Sequence, residues 1–97
     1  MNVLEGFRAM LALRTALERA QSPENMRWFA PGRLDPAAPV AADVRAAGEK
    51  LNAWGGSDAM MSAAKALVIE DPVRYFGLRA VLDGLWAGIG EWRRLAT

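Results

Sequence analysis

The chain has 97 residues, enough for one domain built around one modest core. Twelve Lys and Arg against eleven Asp and Glu leave a net charge of +1, which argues against a dedicated nucleic-acid binder, whose basic surplus gathers on one face. Without cysteine or histidine, the chain can form no disulfide, thiolate metal site, cysteine nucleophile or Ser–His–Asp relay of its own.

Apolar residues make up 53% of the sequence, too many for a disordered segment. Glu5 and Arg8 interrupt the apolar start, so the N-terminus does not read as a signal peptide. The most hydrophobic stretch, 73–89, contains Arg74, Arg79 and Asp83 and does not read as a membrane span. These features predict a cytoplasmic protein with no membrane association, a single helical domain over 1–97.

Asn2 with Glu5 three residues on matches a capping box and opens helix 1, expected over 3–21. Its large apolar residues, Val3, Leu4, Phe7, Met10, Leu11 and Leu17, share one face at 100° per residue, with Leu13 at its margin. Arg8, Thr15 and Arg19 lie opposite. Arg14 and Glu18 fall inside the apolar arc and can pair with each other at i,i+4.

Ser22-Pro23-Glu24 begins a short second helix that Ala30-Pro31-Gly32 stops just after Trp28-Phe29. The three prolines of 31–39 mark the one extended linker. Asp35-Pro36 could cap a helix, but Pro39 would then remove a hydrogen bond from its first turn, so helix 3 is expected from Pro39 to Trp54. Gly55-Gly56 ends it, and Ser57-Asp58 starts helix 4, reaching Glu70. Asp71-Pro72 opens helix 5, expected over 72–95. No period-two pattern long enough for a strand appears. The predicted fold is an all-α, compact irregular bundle of about five helices, with long N- and C-terminal helices forming the central pair and three shorter ones around them.

On helix 5, Leu78, Val81, Leu82, Leu85, Trp86, Ile89 and Trp92 make a wide apolar face, with Gly77, Gly84 and Gly88 along its edge. Each glycine inside a helix costs about 1 kcal/mol relative to Ala, so this ridge suggests close approach by a neighbouring helix, of this chain or of a second one.

The chain carries four tryptophans. Trp54 and Trp86 occupy core spacing. Trp28-Phe29, against the proline linker, and Trp92-Arg93-Arg94, near a helix end, combine residue types common at binding hot spots and are the candidate partner-binding surface. The acids suggest no catalytic pair: Asp71 serves as a cap, and Asp83 lies four residues after Arg79, where an ion pair is expected. Trp54-Gly55-Gly56 resembles the Trp-x-Gly turn of a family of small helical-hairpin proteins that dimerise and pass through a dedicated export system. Pro31, Pro36 and Pro39 interrupt what would be that family's first long helix, and Tyr75 is followed four residues later by Arg79 rather than an acid, so membership is not assigned.

The function expected on these grounds is non-catalytic: a helical module that binds another protein as an adaptor, regulator or inhibitor, as a monomer or as a homodimer, with no cofactor, metal, nucleic acid or membrane involved. The alternative is a small pocket for an apolar ligand, lined by Met60, Met61 and Trp86.

Overall fold

Proline and glycine set the element boundaries in the computed structural model, which describes residues 3–92. Helix α1 spans Val3–Ala20. Ser22-Pro23 then opens a short helix at Pro23–Trp28, but with 3₁₀ geometry. Pro31-Gly32 turns the chain between two-residue strands, β1 (Phe29–Ala30) and β2 (Arg33–Leu34), paired antiparallel with Phe29 opposite Leu34. Gly32 has φ of 78°, as a Pro-Gly turn of type II requires. This hairpin replaces half of the expected linker. Asp35 organises the rest: its carboxylate Oδ1 accepts from the Ala37 N–H at 2.9 Å and its carbonyl from the Ala38 N–H at 3.0 Å.

Helix α2 begins at Pro39, as expected, and runs to Glu70 with a kink in place of a gap. The backbone leaves helical geometry only at Gly55 and Gly56, and Gly56 takes φ of 71°, open to glycine without strain. The expected helices 3 and 4 are therefore both present, as the two arms that meet at this break in helical geometry. Among the described residues, taking α2 as one and counting the 3₁₀ turn, four helices stand where about five were expected.

The last expected helix is where sequence and structure differ most. After Asp71-Pro72 one helical turn forms: the Arg74 N–H donates to Asp71 Oδ1 at 3.0 Å and the Tyr75 N–H to the Asp71 carbonyl at 3.1 Å. Gly77, at φ 79°, then reverses the backbone and caps α3, which spans only Leu78–Leu85. Gly88 (φ 87°) and Gly90 (φ 54°) turn the chain again. Two of the three glycines read as a packing ridge thus lie outside α3 at positive φ, Gly77 as its N-cap and Gly88 three residues past its end.

The central pair is correspondingly α1 with α2, while α3 packs on α2 and β2. Helix α1 buries Gly6, Ala9, Leu13, Ala16, Leu17 and Ala20, so its small residues face the core. Of the large face expected to pack inward, Leu17 is buried and Met10 half-buried, but Val3, Leu4, Phe7 and Leu11 are exposed. Helix α2 is small-sided as well: it buries Ala41, Ala47, Ala63 and Ala64, and Ala47 and Ala63 line grooves shared with α1, which permits close backbone approach. Trp54 lies directly over Gly6, where a Cβ would be 2.5 Å from the indole.

The core centres on Trp86 and Trp92, both fully buried and in edge-to-face contact, with centroids 4.8 Å apart. Trp86 Nε1 donates to the Val44 carbonyl at 2.9 Å. Trp92 Nε1 donates to Asp83 Oδ1 at 3.1 Å, and the Arg79 guanidinium, paired with Asp83, lies 5.2 Å from the Trp92 ring centroid. Arg45 donates to the carbonyls of Leu85 and Ala87 at 2.7 and 3.0 Å, capping the end of α3. Among the described residues, no helix is long and apolar enough to cross a membrane.

Candidate interaction surface

A concave surface lies where the 3₁₀ helix and the hairpin meet the turn after α2. It is an open groove of about 800 Å³, lined by Gln21, Pro23, Met26, Phe29, Ala30, Pro31, Pro72, Val73, Arg74 and Phe76. Prolines build much of its wall. Pro23 and Pro72 each start a turn, and Pro31 forms the hairpin tip, so these walls lose little entropy when a ligand binds.

Polar contacts join the two sides at the groove's base. Gln21 Nε2 donates to the Arg74 carbonyl at 2.9 Å, while Arg74 Nε donates back to Gln21 Oε1 at 3.1 Å. Glu18 approaches the same guanidinium at 3.5 Å. On the far wall, Gly77 and Gly32 bring two backbones together; a Cβ on Gly77 would lie 2.6 Å from the Gly32 nitrogen.

The side chains on this frame are apolar and face water. Val73 is 88% exposed, Phe76 74% and Met26 68%. A short turn between two helices has no structural need for Val and Phe in solvent, and contiguous exposed apolar surface of this kind marks interaction sites.

The residues singled out from sequence divide. Phe29 is half-buried and lines the groove, and Trp28 is half-buried against the core with the Arg27 guanidinium 4.7 Å from its ring centroid. Trp92 belongs to the core, so its indole offers no surface to a partner, and the reading of it as exposed is corrected: turns at Gly88 and Gly90 bring Trp92 against Trp86 and Asp83. Arg93 and Arg94 lie outside the described residues.

The glycine ridge is also revised. Gly77 does make a close backbone approach, but to the hairpin turn rather than to a helix. A Cβ on Gly84 would meet nothing within 4 Å, and one on Gly88 only Arg45 Nη2 at 4.0 Å. The glycines that seat aromatics are Gly6, beneath Trp54, and Gly48, where an added Cβ would fall 2.6 Å from Trp86 Cε2. The sequence signal of Gly48 was present but faint: a glycine inside an otherwise good helix, one position beyond the buried Ala47.

Several charges are paired within the chain. Arg14 pairs with Glu70, Arg19 with Asp43 at 2.9 Å, and Arg74 with Glu18. The i,i+4 contact expected between Arg14 and Glu18 is thereby replaced by two pairs that cross to the end of α2 and the following turn. Each is partly solvated and contributes roughly 0.2–1 kcal/mol. Among the described residues, no three Asp or Glu side chains converge as metal ligands would.

Met60 and Trp86, the suggested lining of a ligand pocket, are packed without exposure. Met61 instead borders a separate shallow groove with Val68, Ile69 and Leu78. In comparisons with known proteins, no family model, no curated protein and no solved structure matches the chain.

Proposed function

We propose that this chain is a non-catalytic helical interaction module, an adaptor, regulator or inhibitor that acts by docking on another protein through the Met26–Phe29–Val73–Phe76 groove. The observation that carries the reading is the exposure of Val73 and Phe76 on a turn whose backbone is held on both sides. Burying those two side chains against a partner would recover about 1.5–3 kcal/mol each before the entropic cost of association. The rim supplies little charge of its own, because Arg74 is engaged by Glu18 and Gln21. Specificity would then come mainly from shape and from the proline-stiffened walls.

A photo-crosslinking side chain at position 76, in the native host, tests this directly. The same defined partner should be captured from position 76 and not from Glu49, which is exposed on α2. The double change Val73→Ser and Phe76→Ser should leave helical circular dichroism intact and weaken partner binding about 30-fold, the scale of a hot spot near 2 kcal/mol. Equal capture from both positions, or unchanged affinity in the double variant, would refute the groove as the docking site. An apolar small molecule recovered with the native chain, and lost in the same variant, would replace the protein partner with a ligand.

A further inference from the structure

The groove that Met61 borders is a shallow depression of about 220 Å³ between the end of α2 and the start of α3. Val68, Ile69 and Leu78 line it together with Lys65 and Arg79. Ile69 is 80% exposed, as much as the side chains of the Phe76 groove. The chain runs from this depression at Ile69 into the Phe76 groove at Pro72 and returns at Leu78. Two apolar depressions therefore flank one turn, and exposed apolar surface of this kind marks an interaction site.

Their charges have one sign. Arg74 lines the first groove, Lys65 and Arg79 line the second, and no Asp or Glu lines either. The acids of 65–83 are all occupied inside the chain. Glu70 pairs with Arg14, and Asp71 Oδ1 accepts from the Arg74 N–H. Asp83 Oδ1 accepts from the Arg79 guanidinium and from the Trp92 indole N–H. Arg74 and Arg79 are in turn compensated by Glu18 and Asp83. Lys65 differs: it is exposed on α2, and among the described residues no acid pairs with it.

We propose that the partner docks through an acidic, apolar segment that lies across both grooves and sets a carboxylate against Lys65. The proposal rests on the docking role of the Phe76 groove and adds the second half of the surface and the charge of what binds there. An apolar strip beside an uncompensated cation is complementary to a segment that carries apolar side chains and a carboxylate together. A basic segment would set like charges against each other at Lys65, which rejects it even where its apolar side chains fit. Shape selects a peptide segment over an anionic bilayer, because the apolar residues line depressions that single side chains can enter. Lys65 stays solvated, so its pairing adds little affinity and acts mainly on the choice of partner.

Two synthetic peptides of equal length serve as probes, with Leu and Phe alternating with Glu in one and with Lys in the other. Fluorescence anisotropy against the full chain should show the Glu peptide binding about tenfold more tightly at low salt, a gap that closes as salt screens the charges. Lys65→Glu should weaken the Glu peptide about fivefold, the scale of reversing one exposed charge, without weakening the Lys peptide. Ile69→Ser should weaken both peptides. Positions 65 and 69 are exposed, so helical circular dichroism should be unchanged in both variants. In the native host, a photo-crosslinking side chain at position 69 should reach the same protein as one at position 76, and Lys65→Glu should weaken its binding. No binding of the Glu peptide, equal affinity for the two peptides, equal effects of Lys65→Glu on both, or preference for vesicles of anionic phospholipid over the Glu peptide would overturn the proposal. If Lys65→Glu and Ile69→Ser leave partner binding intact while Val73→Ser with Phe76→Ser weakens it, the Phe76 groove stands and its acidic extension fails. If Val73→Ser with Phe76→Ser is without effect, the groove itself fails and the extension with it.

Discussion

Phe76 and Trp86 flank the same short helix and meet opposite fates. Trp86 is fully buried, with its indole N–H on the Val44 carbonyl and a glycine beneath it, while Phe76 leaves most of its surface in water. Both are large aromatics a sequence reading would place inside. The difference lies in the backbone around them. Gly48 gives Trp86 a seat that a Cβ would fill, and the turns at Gly88 and Gly90 bring Trp92 over it. Phe76 precedes Gly77, whose backbone lies against Gly32, so the chain is held at the rim. Burial here follows where two backbones can approach, and hydrophobicity alone does not decide it.

The sharpest way to break the comparison is to truncate both rings. Trp86→Ala should destabilise the fold by about 3–5 kcal/mol, from lost transfer energy, a cavity and a lost donor to Val44. Phe76→Ala should change stability by less than about 0.5 kcal/mol, as exposed positions do. Urea unfolding of the two variants measures both values. Comparable losses would mean that Phe76 is structural and that its exposure carries no functional meaning.

A smaller effect separates the glycines. Gly48→Ala gains about 1 kcal/mol of helix propensity but forces a Cβ into the Trp86 ring, a conflict of roughly 1–3 kcal/mol, so the net change should be neutral to destabilising. Gly84→Ala meets open space within α3 and should stabilise by up to about 1 kcal/mol. Thermal melts of the pair should move apart; movement in the same direction would mean that Trp86 yields readily to an added methyl.

The helical class was legible from periodicity and punctuation, and so were the starts at Pro23 and Pro39, the bend at Gly55-Gly56 and the end of α1. What could not be read was the use of each glycine. A glycine within an apolar run is compatible with a close contact, as at Gly48, or with a reversal at positive φ, as at Gly77 and Gly88, and only the three-dimensional neighbours decide. The orientation of α1 was hidden for a related reason. A wheel weighted by large side chains points Phe7 and Leu11 inward, yet an alanine-lined partner selects the small face. For the candidate surface, Phe29 was found by its place against the prolines, whereas Val73 and Phe76 were concealed within a helix expected to run unbroken past Gly77.

The smallest effect concerns Tyr75, the only tyrosine in the chain, which is buried beside that surface. Burial raises its phenol pKa above the ordinary 10.0 by penalising the charged form; Arg74 opposes the shift and Glu18 adds to it. Below pH 10 the phenol is neutral in both the folded and unfolded chain and contributes no pH dependence. As pH rises past 10, the unfolded chain releases the proton first while the folded chain keeps it. The folded state then binds more protons than the unfolded one, and stability falls with rising pH until the folded phenol ionises too. Tyr75→Phe should lack this part of the alkaline decline. The two proteins share every other ionisable group, so the difference between their urea midpoints across alkaline pH isolates the phenol. Ultraviolet absorbance of tyrosinate in the folded parent should show ionisation displaced above that of the unfolded chain. Parallel alkaline declines in the two proteins would mean that water reaches the Tyr75 hydroxyl freely, and that the wall behind Phe76 opens more readily than the groove requires.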